Sequence, residues 1–125
     1  MLYLLNVIME ESRVKDITTT FDEEIKQGKP TFVKFFAPWC GHCKALAPKW
    51  AEMSNGMVDI PVTEVDCTVE QEICGKYGIR GYPGIKLVTK DLAYDYDGPR
   101  EAKDIAEWSK KMRLPMFTPV MPSEI

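Results

Sequence analysis

Thr31-Phe32-Val33-Lys34-Phe35-Phe36-Ala37-Pro38-Trp39-Cys40-Gly41-His42-Cys43-Lys44 joins an apolar run to a pair of closely spaced cysteines. Apart from Lys34, Thr31 to Phe36 is mostly apolar on both faces, as in a central parallel strand covered by helices. An amphipathic helix is expected from Gly41 to about Ser54. Two cysteines separated by two residues at a strand-to-helix junction read as a dithiol/disulfide pair. Cys40 falls at the helix N-terminus, where unpaired N–H groups and the positive end of the macrodipole favour an anion. That position lowers a thiol's pKa and makes it a nucleophilic thiolate. At the reference pKa of about 8.5 only roughly 3% of a thiol is ionised at pH 7, so such a shift decides reactivity. Cys43 lies one turn inside the helix, within reach of Cys40 and less exposed. Thiol–disulfide exchange is the chemistry this implies.

The flanking segments alternate strand and helix. Arg13 to Ile17 reads as a strand, and Thr20 with Glu23 reads as a capping box opening a helix that stops at Gly28-Lys29-Pro30. Pro48 removes one backbone bond inside the Gly41–Ser54 helix and is expected to kink it. Val62 to Asp66 is the next strand, and Gln71 to Tyr77 a short helix ending at Gly78. Ile85 to Thr89 and Tyr94 to Tyr96 read as an antiparallel hairpin around Lys90-Asp91, and Ala102 to Met112 as the last helix. The order β-α-β-α-β-α-β-β-α predicts an α/β fold with a central mixed sheet flanked by helices on both faces.

A chain of 125 residues fits one domain and can bury most of its apolar surface. Its net charge of −3, without a run of like charges, argues against nucleic acid or an anionic membrane as partner. No stretch approaches the roughly 18 apolar residues of a membrane span. Residues 1–12 form an extension of uncertain role: Met1 to Met9 is apolar but lacks the basic region and small-residue cleavage site of a secretory signal. Residues 13–113 form the domain. Residues 114–125 carry Pro115, Pro119 and Pro122 without periodicity and read as a Pro-rich tail or linker, with no retrieval signal at Ile125.

Phe35-Phe36-Ala37-Pro38-Trp39-Cys40-Gly41-His42-Cys43-Lys44 resembles the active site of a catalytic protein disulfide isomerase domain of the thioredoxin superfamily. The likeness continues through Leu46-Ala47-Pro48, Val65-Asp66, Tyr77-Gly78-Ile79-Arg80-Gly81-Tyr82-Pro83, Tyr96 and Trp108, from roughly Arg13 to Met112. The resemblance implies a thioredoxin fold and a redox pair in which Cys40 attacks and Cys43 resolves the mixed disulfide. His42 adds positive potential at Cys40. Trp39, Tyr82 and Pro83 contact substrate, and the Tyr82–Pro83 bond is cis, turning backbone groups toward an extended client strand. The family usually has a small hydroxyl residue where this chain has Gly84, so a looser loop is expected. Arg100 matches an arginine that can swing toward the second cysteine, although Pro99 interrupts the usual pairing.

Lys34 departs from the pattern. Family members usually have a glutamate at this position and a lysine on the neighbouring strand, where this chain has Glu64. The two charges look exchanged, which preserves a pair able to serve proton transfer at Cys43. This exchange, with Cys67 and Cys74, resembles the branch called endothelial protein disulfide isomerase, whose members carry three catalytic thioredoxin-like domains. Cys67 and Cys74 are read as a structural disulfide, with two reduced buried cysteines as the alternative. Zinc held by all four cysteines is disfavoured, because C-x₆-C is not zinc-knuckle spacing.

The resemblance implies an enzyme that forms and rearranges disulfides in client polypeptides of the endoplasmic reticulum lumen or secretory pathway. It implies no metal or organic cofactor, and sister thioredoxin-like domains as possible partners. The competing readings are a thioredoxin-like disulfide reductase and a non-catalytic peptide-binding chaperone module.

Overall fold

The computed structural model describes residues 12–57 and 59–117, with side chains up to residue 112. All but Ser12 of the expected N-terminal extension lies outside them. The chain runs β1 (Val14–Asp16), α1 (Phe21–Lys26), β2 (Thr31–Phe36), α2 (Gly41–Asn55), β3 (Val62–Asp66), α3 (Gln71–Lys76), β4 (Gly84–Val88), β5 (Ala93–Asp95) and α4 (Ala102–Phe117). The strands pair in the order β1-β3-β2-β4-β5. β1, β3 and β2 are parallel, with Val62 opposite both Val14 and Phe32; β4 runs antiparallel to β2, and β5 to β4. Parallel neighbours need long crossovers, which the helices supply, whereas β4 and β5 close through a short turn.

β2 sits at the centre, so both of its faces are covered. Phe32 packs on Leu46 and Trp50 of α2 and Ile105 of α4, its ring 5.1 Å from that of Trp50. Val33 and Phe35 face the other way, onto Phe21 and Ile25 of α1 and Cys74 of α3. All three are fully buried. Each such side chain contributes about 1.5–3 kcal/mol on leaving water. The Trp50 Nε1–H donates to the Thr63 carbonyl at 3.1 Å, so the large ring is buried without an unpaired donor.

Two helix ends differ from expectation. Thr20 makes no side-chain cap bond, so the capping box does not form. Its ψ of 18° is not the extended conformation a capping side chain needs. Asp16 organises this turn instead, accepting from the Thr18 N–H at 2.9 Å and the Thr18 hydroxyl at 2.6 Å. Gly28 then ends the segment at φ +84°, a left-handed conformation that glycine adopts without penalty.

At the other end, the sequence predicts a helix stopping at Met112 and a tail from residue 114, but α4 continues to Phe117. Pro115 thus falls inside α4, where its missing N–H removes one i→i−4 bond from the final turn. Only residues 118–125 of the expected tail remain, outside the described residues. Pro48 likewise lies inside α2, which continues past it to Asn55.

Cys67 and Cys74 are joined by a disulfide with Cα atoms 5.7 Å apart, tying the end of β3 to α3. The bridge spans a sequence separation of 7. A loop of that size stabilises the fold by about 2.5 kcal/mol on the chain-entropy estimate. The double variant Cys67→Ala/Cys74→Ala should lower the urea midpoint accordingly at unchanged slope. An unmoved midpoint would show that the bridge contributes nothing to stability.

Candidate active site

β2 ends at Phe36, and the chain turns through Ala37-Pro38-Trp39 so that Cys40 becomes the N-cap of α2. Its backbone is extended, and its Sγ accepts the Cys43 N–H at 3.3 Å. A sulfur thus takes the place usually held by a serine or aspartate oxygen. Cys40 and Cys43 are unbridged and largely buried, 8% and 4% exposed, in a cluster with Ala37 against which Phe36 and Tyr82 pack. Facing them, the Tyr82–Pro83 peptide is cis, and the Tyr82 carbonyl accepts the Cys40 S–H at 3.6 Å.

The surroundings separate the two thiols. The hydrogen bond with the Cys43 thiol is the main influence holding Cys40 below the usual thiol range, against the opposing effect of burial. The N–H groups of Cys43 and His42 and the charge of Arg100 add to it. Cys43 is pushed up to about 11, chiefly by burial, with the shared hydrogen bond and charge of Cys40 adding to the rise. The Ala37 backbone and the charge of Lys34 work in the opposite direction.

The remaining side chains fall into three groups. Trp39 is 67% exposed and meets the Tyr82 ring edge-on at 5.8 Å, so it forms an apolar rim, not part of the core. His42 is exposed, and its contribution to Cys40 comes through its backbone N–H. Lys34 and Glu64 stand opposite each other in the β2–β3 register, Nζ to Oε1 3.2 Å. The Lys34 side chain is 5% exposed and the Glu64 side chain 27%. The Lys34 ammonium also lies 5.2 Å from the Phe36 ring centroid. With Ala47, Pro48 and Trp50, the pair lines a cavity of about 540 Å³ beside α2.

Arg100 and Gly84 both lie at the cis-proline loop. The resemblance has Arg100 able to swing toward the second cysteine; in the structure its charge is the smallest of the influences that lower Cys40. It enters from the cis-proline side, where it lines a cavity with Pro83 and Gly84. Tyr96 donates its hydroxyl to the Pro99 carbonyl, pinning the backbone next to Arg100. The loop at Gly84 is filled, not loose: a Cβ there would come within 2.9 Å of Ile79 Cδ1 and 3.9 Å of Phe35 Cβ. Ile79 thus supplies the bulk that a larger residue at 84 would bring.

Ile79, Phe36 and the Tyr96–Pro99 bond escape a reading of the sequence, since each matters through a contact between segments. Among the described residues no group of three or more histidine, cysteine or carboxylate side chains is placed to hold a metal ion.

The thioredoxin family model matches residues 12–111. Protein disulfide-isomerase of Aspergillus oryzae is 38% identical over 109 residues, covering 85% of this chain and 21% of the relative. Protein disulfide-isomerase TMX3 of Homo sapiens is 38% identical over 125 residues, covering 97% and 27%. A crystal structure of ERdj5 (form I) superposes with a TM-score of 0.78 at 27% identity, covering 86% of this chain and 14% of that one. The chain therefore spans about a quarter or less of the length of these relatives.

Proposed function

Because the chain belongs to the thioredoxin family, we propose that it is a thiol–disulfide oxidoreductase and isomerase of the protein disulfide-isomerase type, acting on client polypeptides. The observation that carries this reading is the N-cap position of Cys40, whose sulfur takes the Cys43 N–H and faces the cis Tyr82–Pro83 peptide. Relatives named protein disulfide-isomerase support it.

In the reductive direction the Cys40 thiolate attacks one sulfur of a client disulfide, forming a mixed disulfide and releasing a client thiolate. Cys43 then loses its proton and attacks Cys40 Sγ, which closes the Cys40–Cys43 disulfide and releases the second client thiolate. Run backwards, the same steps take two electrons from a client dithiol and oxidise it. Attack followed by release without Cys43 rearranges client disulfides with no net redox change. Stabilising the Cys40 thiolate favours the reduced form of the pair and makes its disulfide the better oxidant.

His42 and Arg100 serve the Cys40 thiolate in this scheme, one by its N–H and the other by its charge. Lys34 and Glu64 serve Cys43: the ammonium favours its thiolate, and Glu64, partly exposed, links the site to solvent protons. Trp39, Tyr82 and Pro83 form the surface on which a client strand lies. The setting proposed is the lumen of the endoplasmic reticulum, where a bridge such as Cys67–Cys74 persists. Sister thioredoxin-like domains fit the much greater length of the relatives.

A scrambled client refolded in glutathione buffer tests the reading. Recovery of client activity that needs both Cys40 and Cys43 is the expected result. Accumulation of free client thiols would point to a reductase, and recovery that survives loss of both cysteines to a binding chaperone.

A further inference from the structure

A second feature lies across the cis-proline loop. Arg80, Gly81, Pro83, Asp97 and Arg100 line a cavity of about 230 Å³, with Lys86 and Asp95 at its wall. A water occupies about 30 Å³ in the liquid, so a carboxylate side chain fits there together with some of its hydration. Lys86 is already paired with Asp95. Arg80 and Arg100 have no ion pair among the described residues and oppose the single carboxylate of Asp97.

Both arginines leave pinned backbone. Gly78, at φ +70°, and the Ile79 N–H bonded to the Cys74 carbonyl at 2.9 Å fix the chain just before Arg80. The Tyr96 hydroxyl holds the Pro99 carbonyl next to Arg100. A guanidinium presents its donors in a rigid fork that matches a carboxylate. The cavity is also next to the chemistry, because Pro83 forms its wall and the Tyr82 carbonyl lies 3.6 Å from Cys40 Sγ.

We propose that this cavity is a specificity subsite in which Arg80 and Arg100 bind an acidic side chain of the client close to its reacting cysteine. The inference rests on the exchange activity proposed above and names a preference within it. The net charge of the chain, −3, repels an acidic client at long range, so a preference for one has to come from a local basic patch. The charge of Arg100 reaches Cys40, which couples occupation of the subsite to the attacking sulfur.

The test uses the 125-residue chain in its Cys40–Cys43 disulfide form and three dithiol peptides that differ at one residue beside the cysteine: Glu, Gln or Lys. Each second-order rate constant for the single-turnover oxidation of the peptide is divided by that of the same peptide with a neutral small-molecule disulfide, which removes the effect of its own thiol pKa. The expected order is Glu, then Gln, then Lys. Exposed ion pairs of this kind contribute about 0.2–1 kcal/mol, which makes the Glu:Gln ratio roughly 1.5 to 5 at low salt. Near 1 M salt, where the screening length is about 3 Å, the ratio should fall toward one.

Arg80→Gln and Arg100→Gln should each lower the ratio, and Arg80→Lys should retain part of it. A ratio near one in the unmodified chain, or one that survives Arg80→Gln/Arg100→Gln, overturns the subsite. If the double variant does not fold, the salt dependence of the unmodified chain decides the matter. Equal exchange with all three peptides overturns the subsite alone, whereas exchange with none overturns the activity and the subsite together.

Discussion

Cys43→Ser should turn the protein into a trap that accumulates mixed disulfides with its clients, while Cys40→Ser should abolish exchange altogether. In the first variant Cys40 keeps its N-cap position and can still attack, but no second thiol is present to release the client. In the second the attacking sulfur is gone, and Cys43, whose thiol is still pushed up by burial, is left chiefly in the unreactive protonated form at pH 7. Nonreducing electrophoresis with a disulfide-bonded client separates these outcomes. Failure of Cys43→Ser to accumulate the covalent complex would reject the division of labour between the two cysteines.

The same asymmetry sets a pH dependence. A thiol reacts as its thiolate, and that fraction grows as pH rises toward the pKa. Alkylation of Cys40 in the reduced protein should therefore reach its plateau at a lower pH than an ordinary thiol, and far below that of Cys43. Resolution should behave differently. Once Cys40 is bonded to a client, its charge and shared hydrogen bond no longer raise Cys43, whereas the charge of Lys34 still lowers it. The midpoint for resolution should then lie below about 11 yet above that for Cys40 alkylation. An alkylation midpoint for Cys40 equal to that of Cys43 would overturn the assignment of the attacking sulfur.

Lys34→Glu should produce the largest loss of stability among single substitutions at the site. It places a second carboxylate across from Glu64 in place of the ammonium that now lies 3.2 Å from Glu64 Oε1, at a side chain only 5% exposed. Breaking a buried pair by removing one partner costs about 3–5 kcal/mol, and the partial exposure of Glu64 puts the expected loss toward the lower end. The exchange Lys34→Glu with Glu64→Lys restores opposite charges across the same register and should recover most of that loss. A coupling energy of about 0.5–3 kcal/mol from the double-mutant cycle in urea denaturation is the expected reading. Additive losses would mean that Lys34 and Glu64 do not act as a pair. Glu64→Gln should also slow resolution of a trapped mixed disulfide, leaving attack by Cys40 nearly unchanged.

The order of strands and helices was legible in the sequence because apolar periodicity and turn residues are local signals. Cys40 at the start of a helix was equally legible, since an N-cap depends only on where the helix begins. The pairing of Lys34 with Glu64 came from the resemblance, whose usual pair this chain carries with its charges exchanged, and the β2–β3 register sets the two opposite each other. Packing decided the rest. Thr20 has the residue type of a cap, but its ψ of 18° is not that of a cap, and Asp16 makes the side-chain bonds of this turn through Thr18. Gly84 alone reads as slack, and only the approach of Ile79 across the loop shows that the space is filled. Arg100 reads as able to swing toward Cys43, and only the folded arrangement shows that its charge also reaches Cys40 from the cis-proline side. Capping and periodicity act over a few residues and so are written in the chain; the field at a sulfur sums over groups far apart in sequence, and only the folded arrangement sets their distances.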